Sequence, residues 1–160
     1  VKEIKGLSAA GTNLTSLDLG STQISSLDVT QNTELQKLNL SYVKGITTLD
    51  LSNNTRLTEL TTNNSGIREL KLGSKNGLKN INVSGSKLSS LDISEAGTIE
   101  NIAVGLQTDA TGTNQQIKVT MTQQQKDYFD SKGIIFTENM ITNNNDKNKP
   151  NSNVKVIIKQ

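Results

Sequence analysis

The chain has 160 residues, a formal net charge of +2, and no cysteine, histidine or tryptophan. Without histidine or cysteine it cannot form a Ser/His/Asp or Cys/His relay, a Cys/His zinc site or a disulfide. Charges are dispersed and aromatic residues make up only 2% of the chain, which argues against nucleic-acid binding, and no apolar run approaches the roughly 18 residues of a membrane span.

The segment 1–13, VKEIKGLSAAGTN, predicts a degenerate first repeat of the kind that follows it. Ile4 and Leu7 fall in the phase of that repeat, but Ala9 replaces its third apolar residue. Such a segment either caps a repeat array weakly or continues from upstream sequence. Because the chain begins at Val1 and has no signal-peptide pattern, we interpret it as a processed or trimmed piece.

An LxxLxL motif recurs at a short and nearly constant spacing through the next part of the chain. Paired motifs form units of about 21 residues, with one extra residue in the second unit, around Tyr42 to Lys44. In the first motif of each unit, period-two alternation points the fourth and sixth residues inward and the third and fifth outward. These motifs predict parallel strands of one sheet, about 4.8 Å apart, with each Leu stacked on the equivalent residue of the next unit. The second motif predicts an extended or tightly turned return wall, because so short a unit has no room for a helix. The motifs begin at Leu14, Ile24, Leu35, Ile46, Leu57, Ile67, Leu78, Leu88 and Ile99.

Phrases such as LTSLDL at 14–19 and LDLSNNTRLTEL at 49–60 resemble the short bacterial type of leucine-rich repeat, as in internalins and surface proteins of gut bacteria. The resemblance covers residues 14 to about 105. It implies a right-handed, mainly β leucine-rich repeat solenoid over residues 1–113, with parallel strands on its concave face, and it implies a binding surface without naming a ligand. The sequence departs from the family at Thr22, Ser65 and Ser86, where Asn usually bonds the backbone between coils. A hydroxyl can also form such bonds, although fewer of them.

After Val104 the repeat fails, and residues 114–160 predict a small α/β C-terminal cap. Thr122 is suited to the N-cap of a short helix and Gly133 to a left-handed C-terminal position, with Tyr128 and Phe129 packing inward. The other elements predicted here are a strand at 117–121, a strand at 133–138 (GIIFTE), a polar loop at 142–153 and a last strand at 154–158.

The outward positions of the concave strands form two polar rows, which are the candidate binding surface. We expect them to contact a protein partner on a host or bacterial surface, whereas the alternative is that they only keep the sheet solvated, because binding hot spots favour Trp, Tyr and Arg. Glycan binding ranks below protein binding, since the rows contain no stacking ring. Tyr42 is the only aromatic residue outside the cap, and we include it. The candidate contacts are Ser16, Asp18, Lys37, Asn39, Tyr42, Glu59, Thr61, Asn80, Asn82 and Asn101, with Ala103 closing the second row.

A separate row, in the second motif of each unit and here called the aspartate row, contains Asp28, Asp50 and Asp92, interrupted by Lys71. These carboxylates either bond to nearby backbone and hydroxyl groups or share a cation such as calcium, and the lysine favours local bonding. Glycoside hydrolysis would need two carboxylates in a cleft with aromatic rings against which the sugar stacks, and the sequence implies neither a cleft nor such rings. The nearest enzymatic alternative is a parallel β-helix polysaccharide lyase, but the chain lacks the basic cluster around acidic groups that such an enzyme uses. We therefore expect no catalytic residue, metal or cofactor.

Two functions remain open from the sequence. The first is a monomeric, extracellular or cell-surface recognition module, for which a lipid anchor in a removed N-terminal segment is one mode of attachment. The second is a structural spacer that holds another domain of a larger surface protein away from the cell.

Overall fold

The computed structural model describes residues 13–105, 107–136 and 153–160. The degenerate first repeat and the predicted polar loop at 142–153 lie, except for Asn13 and Asn153, outside the described residues. Among those that are described, the fold has ten strands and one helix. They are β1 Ser16–Asp18, β2 Lys37–Asn39, β3 Thr48–Asp50, β4 Glu59–Thr61, β5 Glu69–Lys71, β6 Asn80–Asn82, β7 Ser90–Asp92, β8 Asn101–Ala103, β9 Ile117–Met121, α1 Gln123–Ser131 and β10 Val154–Ile158.

The strands lie in three sheets, and every pairing within them is parallel. One sheet has five strands in the order β1-β2-β4-β6-β8, which are the first motifs of the five repeat units. The other two sheets are β3-β5 and β10-β9-β7. The protein is therefore mainly β, and the predicted parallel pairing of successive first motifs is confirmed.

Strand register places equivalent apolar residues of neighbouring strands side by side. In the five-stranded sheet Leu38 aligns with Leu60, and Leu60 with Ile81. All three are buried, and they share one hydrophobic cluster with residues of the other two sheets, such as Leu49 and Leu91. Burying one such side chain stabilises the fold by about 1.5–3 kcal/mol. Strands of only three residues are thus held mainly by the aliphatic rows beneath them.

The sequence break after Val104 does not interrupt the third sheet. Strand β9 pairs with β7, so Val119 lies beside Leu91 in the register of the preceding strands. Ile117, Val119 and Met121 are fully buried, as the alternation of IKVTM predicted. Strand β10, also predicted, extends the sheet by one more parallel strand.

Helix α1 begins and ends where the sequence indicated. Thr122 accepts a hydrogen bond from the backbone of Gln125, and the Gln125 side chain accepts one from the backbone N–H of Thr122, which completes a capping box. Gly133 has φ +69°, the left-handed conformation that follows many helices. Phe129 is buried and Tyr128 partly buried, so the prediction that they pack inward is confirmed.

The strand predicted at 133–138 is wrong for the part that the structure describes. Residues 133–136 are not extended into any sheet, because Gly133 and Ile134 donate their backbone N–H groups back to carbonyls of the last helical turn. Ile135 is 68% exposed, while the Phe136 ring packs edge-on against Phe129, with the ring centres 5.5 Å apart. The apolar run terminates a helix here, and residues 137–138 lie outside the described part.

Candidate functional site

The outer face of the five-stranded sheet, defined as the side that carries residues 16 and 18 of β1, brings together the two polar rows predicted from sequence. Because the strands are in register, the third and fifth residues of each motif stand beside their equivalents in the next strand. One row is Ser16, Lys37, Glu59, Asn80 and Asn101, and the other is Asp18, Asn39, Thr61, Asn82 and Ala103.

At the β1 end of this face, side chains bond across neighbouring strands. The Asn39 amide donates to Asp18 Oδ1 at 2.9 Å, and that oxygen also accepts from the backbone N–H of Gly20 at 2.9 Å. Asn39 Oδ1 in turn accepts from the backbone and hydroxyl of Ser41, whose hydroxyl lies 2.8 Å from Asn63 Oδ1. These bonds fix the orientation of the amides before any partner arrives.

The middle of the face carries an ion pair. Lys37 Nζ lies 3.3 Å from Glu59 Oε2, and both side chains are substantially exposed, so the pair contributes little to stability. A shallow depression of about 210 Å³ lies here. Its lining consists of Ser16, Leu17, Asp18, Lys37, Leu38, Asn39, Glu59 and Thr61.

The β8 end of the face is neutral. The Asn101 amide donates to Asn80 Oδ1 at 2.7 Å, and Asn82 Oδ1 accepts from the backbone of Ser84 at 3.1 Å. These bonds use Asn80 Oδ1, Asn82 Oδ1 and Asn101 Nδ2. The side-chain nitrogen of Asn82 and the side-chain oxygen of Asn101 are left for other contacts. This end offers hydrogen bonds without charge.

Tyr42 stands just beyond β2, at the rim of this face. It is 55% exposed, and its φ of +63° is left-handed, which is uncommon for a bulky residue. Ser21, Asn64 and Gly85 adopt the same conformation at the equivalent positions of other units. The backbone N–H of Tyr42 donates to Asn63 O at 3.0 Å, so the turn is fixed by the next unit.

The extra residue of the second unit lies just after Tyr42. The step from buried Ile24 to buried Ile46 is one residue longer than the step from left-handed Ser21 to Tyr42, so the insertion falls between Tyr42 and Ile46. Gly45 lies in that segment, and a Cβ there would come within 2.3 Å of the Ile24 carbonyl. Glycine is required at this position with or without the extra residue, because a Cβ on the equivalent Gly66 of the next unit would come within 2.1 Å of Lys44 O.

The carboxylates of the aspartate row bond locally, as Lys71 in that row suggested. Asp28, Asp50 and Asp92 each accept the backbone N–H of the residue two positions later. The Thr30 hydroxyl and then its backbone N–H hold the pKa of Asp28 below its usual value, and Ser52 does the same for Asp50. Lys71 Nζ also lies 3.3 Å from Asp50 Oδ2. Over the described residues, no group of three or more acidic side chains is arranged to hold a metal ion.

The hydroxyl residues that replace the usual Asn act unequally. Ser86 donates to Thr62 O at 2.7 Å, a bond to the preceding unit, and its hydroxyl lies 3.1 Å from that of Ser65. Thr22 donates to Leu19 O within its own unit. The bond between units that was predicted for this position is therefore present at Ser86, while Thr22 only closes its own turn.

Lys75 is buried, which its residue type did not predict. Its side chain has 0% exposure, and its Nζ donates to the carbonyls of Leu51 at 2.8 Å, Ser74 at 3.2 Å and Leu72. Burial lowers the pKa of Lys75 to about 8, although the charge of Asp50 partly offsets this effect. Its signal in the sequence was the ninth position of the second motif, where earlier units have Asn32 and Asn54.

A second feature that the sequence did not indicate is a gap between β5 and β7. Thr47 O accepts from the backbone of Arg68 at 2.8 Å and of Glu69 at 3.2 Å, but within the described chain Arg68 O accepts no equivalent bonds from Ser89 and Ser90. The inward-facing Leu70 is partly exposed beside the gap. A depression of about 410 Å³ lies there, lined by Thr48, Leu49, Asp50, Arg68, Glu69, Leu70, Lys71, Ser89 and Ser90.

Comparison with known proteins gives no relative on which to base a function. No protein-family model, no curated protein and no solved structure matches the chain. In the part of the chain that the structure describes, no helix is long and apolar enough to cross a membrane.

Proposed function

We propose that the chain is a leucine-rich repeat solenoid of the short bacterial type. Two features support this proposal. The LxxLxL motifs repeat in units of about 21 residues, and their first halves pair in parallel with each apolar residue beside its equivalent. In such an architecture each unit buries its apolar edge only against its neighbours, which agrees with the aliphatic rows of the core.

We further propose that the module recognises a protein partner, without catalysis, through the outer face of the five-stranded sheet. The observation that carries this proposal is the alignment of the two polar rows across five strands in strict register. A rigid sheet that presents oriented amides, a carboxylate and a lysine at regular spacing offers a partner preformed hydrogen-bonding groups, so little ordering is needed on binding.

A non-catalytic role is supported by what the carboxylates of this face already do. Asp18 accepts bonds from Asn39 and Gly20, and Glu59 pairs with Lys37. Both carboxylates therefore already have partners within the face. Abundant Asn, Ser and Thr are typical of extracellular bacterial repeat proteins, and on this basis we propose an extracellular or cell-surface location.

The test is a pull-down from host and bacterial surface extracts with the immobilised chain. The variant Lys37→Ala/Glu59→Ala/Asn80→Ala removes three exposed groups from one row. The matched control, Arg68→Ala/Glu69→Ala/Ser90→Ala, removes similar groups from the β5–β7 region. We expect the first variant to lose a captured protein that the control retains, with both variants melting close to the wild type.

Each other outcome has a defined meaning. Loss of capture only in the control variant would move the binding surface to the β5–β7 region. Capture of no protein by any form, from either extract, would contradict recognition and favour the spacer function. Retention by both variants would show that the polar rows are only a solvated surface.

A further inference from the structure

The chain contains a single Asn-Gly pair, Asn76–Gly77, in the turn between β5 and β6. Asn76 is exposed, and no contact of its side chain is found in the described structure. We propose that Asn76 is a site of spontaneous covalent modification, at which the side-chain amide is converted to a mixture of aspartate and isoaspartate.

The reaction needs water as its only co-reactant. The backbone nitrogen of Gly77 attacks Cγ of Asn76, a C–N bond forms, and the amide nitrogen of Asn76 leaves as ammonia. The product is a five-membered succinimide. Water then adds to one of its two carbonyl carbons and opens the ring, which gives aspartate or isoaspartate. Glycine at the second position favours the first step, because it has no side chain to block the attacking nitrogen.

The structure leaves the attacking group available. The Gly77 N–H donates no hydrogen bond to any described residue, which is unusual for a backbone donor that is not fully exposed. The nearest atom to a Cβ built on Gly77 would be Thr58 Cγ2, at 3.8 Å, an ordinary van der Waals distance, so no neighbour crowds this residue. Within the turn, a single bond of 3.0 Å from Leu78 N to Lys75 O spans the pair.

Two other asparagines, Asn53 and Asn64, differ from Asn76 in this respect. The N–H that follows Asn53 is that of Asn54, and it donates to Leu51 O at 2.9 Å. The N–H that follows Asn64 is that of Ser65, which donates to Thr62 O at 3.3 Å. In both cases the nitrogen that would have to attack is already engaged. The N–H that follows Asn54, that of Thr55, also donates no hydrogen bond to a described residue, but the Asn54 side chain is buried and bonded. At Asn76 an exposed amide, a following glycine and an unengaged N–H occur together.

The two products have different structural consequences. Aspartate keeps the main chain as it is. In isoaspartate the peptide bond to Gly77 is made by the side-chain carbonyl, so the main chain passes through Cβ and Cγ and is one atom longer. The original α-carbonyl becomes a free carboxylate. That carbonyl oxygen lies only 2.7 Å from the position of a Cβ on Gly97, whose N–H donates to Lys75 O. Isoaspartate thus places a longer chain and a charge where this turn closely approaches Gly97 of the next unit.

The test follows the purified wild-type chain in mildly alkaline buffer over weeks, with peptide mapping by mass spectrometry and isoaspartyl-methyltransferase labelling. We expect the peptide containing residue 76 to gain one dalton before any other described asparagine changes, and to take up the methyl label. In Asn76→Gln the label on that peptide should be lost, and in Gly77→Ala it should fall to near background. Asn76→Asp should melt like the wild type, whereas the isolated isoaspartate form should melt at a lower temperature.

Two results would overturn the proposal: an intact Asn76 in a sample in which Asn53 or Asn64 has already been converted, or equal labelling of the residue-76 peptide in wild type and Gly77→Ala. An isoaspartate form that melts with Asn76→Asp would refute the structural consequence drawn from Gly97. None of these results depends on whether the outer face binds a partner.

Discussion

Asn54 and Lys75 stand at the same position of successive repeat units, and both donate side-chain hydrogen bonds to buried backbone carbonyls. Asn54 Nδ2 bonds to Val29 O at 2.9 Å and Asn32 O at 2.8 Å, while Lys75 Nζ bonds to Leu51 O at 2.8 Å and to Leu72 O. A neutral amide and an ammonium group thus both satisfy the carbonyl of the sixth residue of the preceding second motif, Val29 for Asn54 and Leu51 for Lys75. Only the ammonium carries the cost of burying a charge.

This difference predicts an unusual pH dependence of stability. Burial lowers the pKa of Lys75 from 10.5 to about 8. Between these two values the folded chain has lost the Lys75 proton while the unfolded chain still holds it, so the unfolded state binds more protons and the free energy of unfolding rises with pH. The rise due to Lys75 should reach the order of 3 kcal/mol.

The measurement is denaturant unfolding of the wild type and of Lys75→Met from neutral pH to about pH 10. Other lysines and the tyrosines titrate in both proteins, so the difference between them isolates Lys75. We expect that difference to shift in favour of the wild type above about pH 8. A difference that stays constant over this range would mean that Lys75 keeps its ordinary pKa and is not desolvated.

The amide at the preceding unit should matter for stability without any pH effect. Asn54→Ala leaves the carbonyls of Val29 and Asn32 without the bonds that Asn54 supplies, and it should lower the free energy of unfolding by about 1–3 kcal/mol. Asn53→Ala is the matched control. Asn53 is exposed and donates one bond of 3.1 Å to Thr30 O, so its loss should cost about 0.5 kcal/mol or less. Equal effects in urea melts of the two variants would contradict the role assigned to Asn54.

The strand rows were predictable because alternation has a fixed period and the register of parallel strands follows from it. Ser16, Lys37 and Glu59 could therefore be placed side by side from sequence alone. Lys75 could not be placed in the core in this way, because lysine is almost never fully buried and its partners are carbonyls, which no sequence pattern marks. The apolar run after Gly133 was misread as a strand, since a short run of Ile and Phe does not distinguish a strand from residues that pack back onto a helix end.

The gap between β5 and β7 predicts fast amide hydrogen exchange at the edge of β7, although the strands on either side of the gap are hydrogen-bonded into sheets. The backbone N–H groups of Ser89 and Ser90 have no partner among the described residues, whereas Arg68 and Glu69 at the preceding positions bond to Thr47 O. Unbonded amides exchange through smaller openings than bonded ones. Amide exchange measured by NMR should therefore show Ser89 and Ser90 exchanging much faster than Arg68 and Glu69. Equal protection of the two pairs would mean that the strands close up in solution.

Substitution of Tyr42 tests stability and binding together. Its backbone conformation suits Asn better than Tyr, while its exposed ring is a candidate contact for a partner. A bulky residue at φ +63° is strained by roughly 1 kcal/mol, and the same position holds Asn64 in the following unit. Tyr42→Asn should therefore raise the free energy of unfolding by about 1 kcal/mol, while Tyr42→Phe, which keeps the ring, should leave it unchanged. If Tyr42 contacts the partner of the outer face, Tyr42→Asn will also capture less of it than Tyr42→Phe does in the same pull-down. A Tyr42→Asn variant that unfolds more easily would show instead that the half-buried side of the ring stabilises the turn by more than the strain costs.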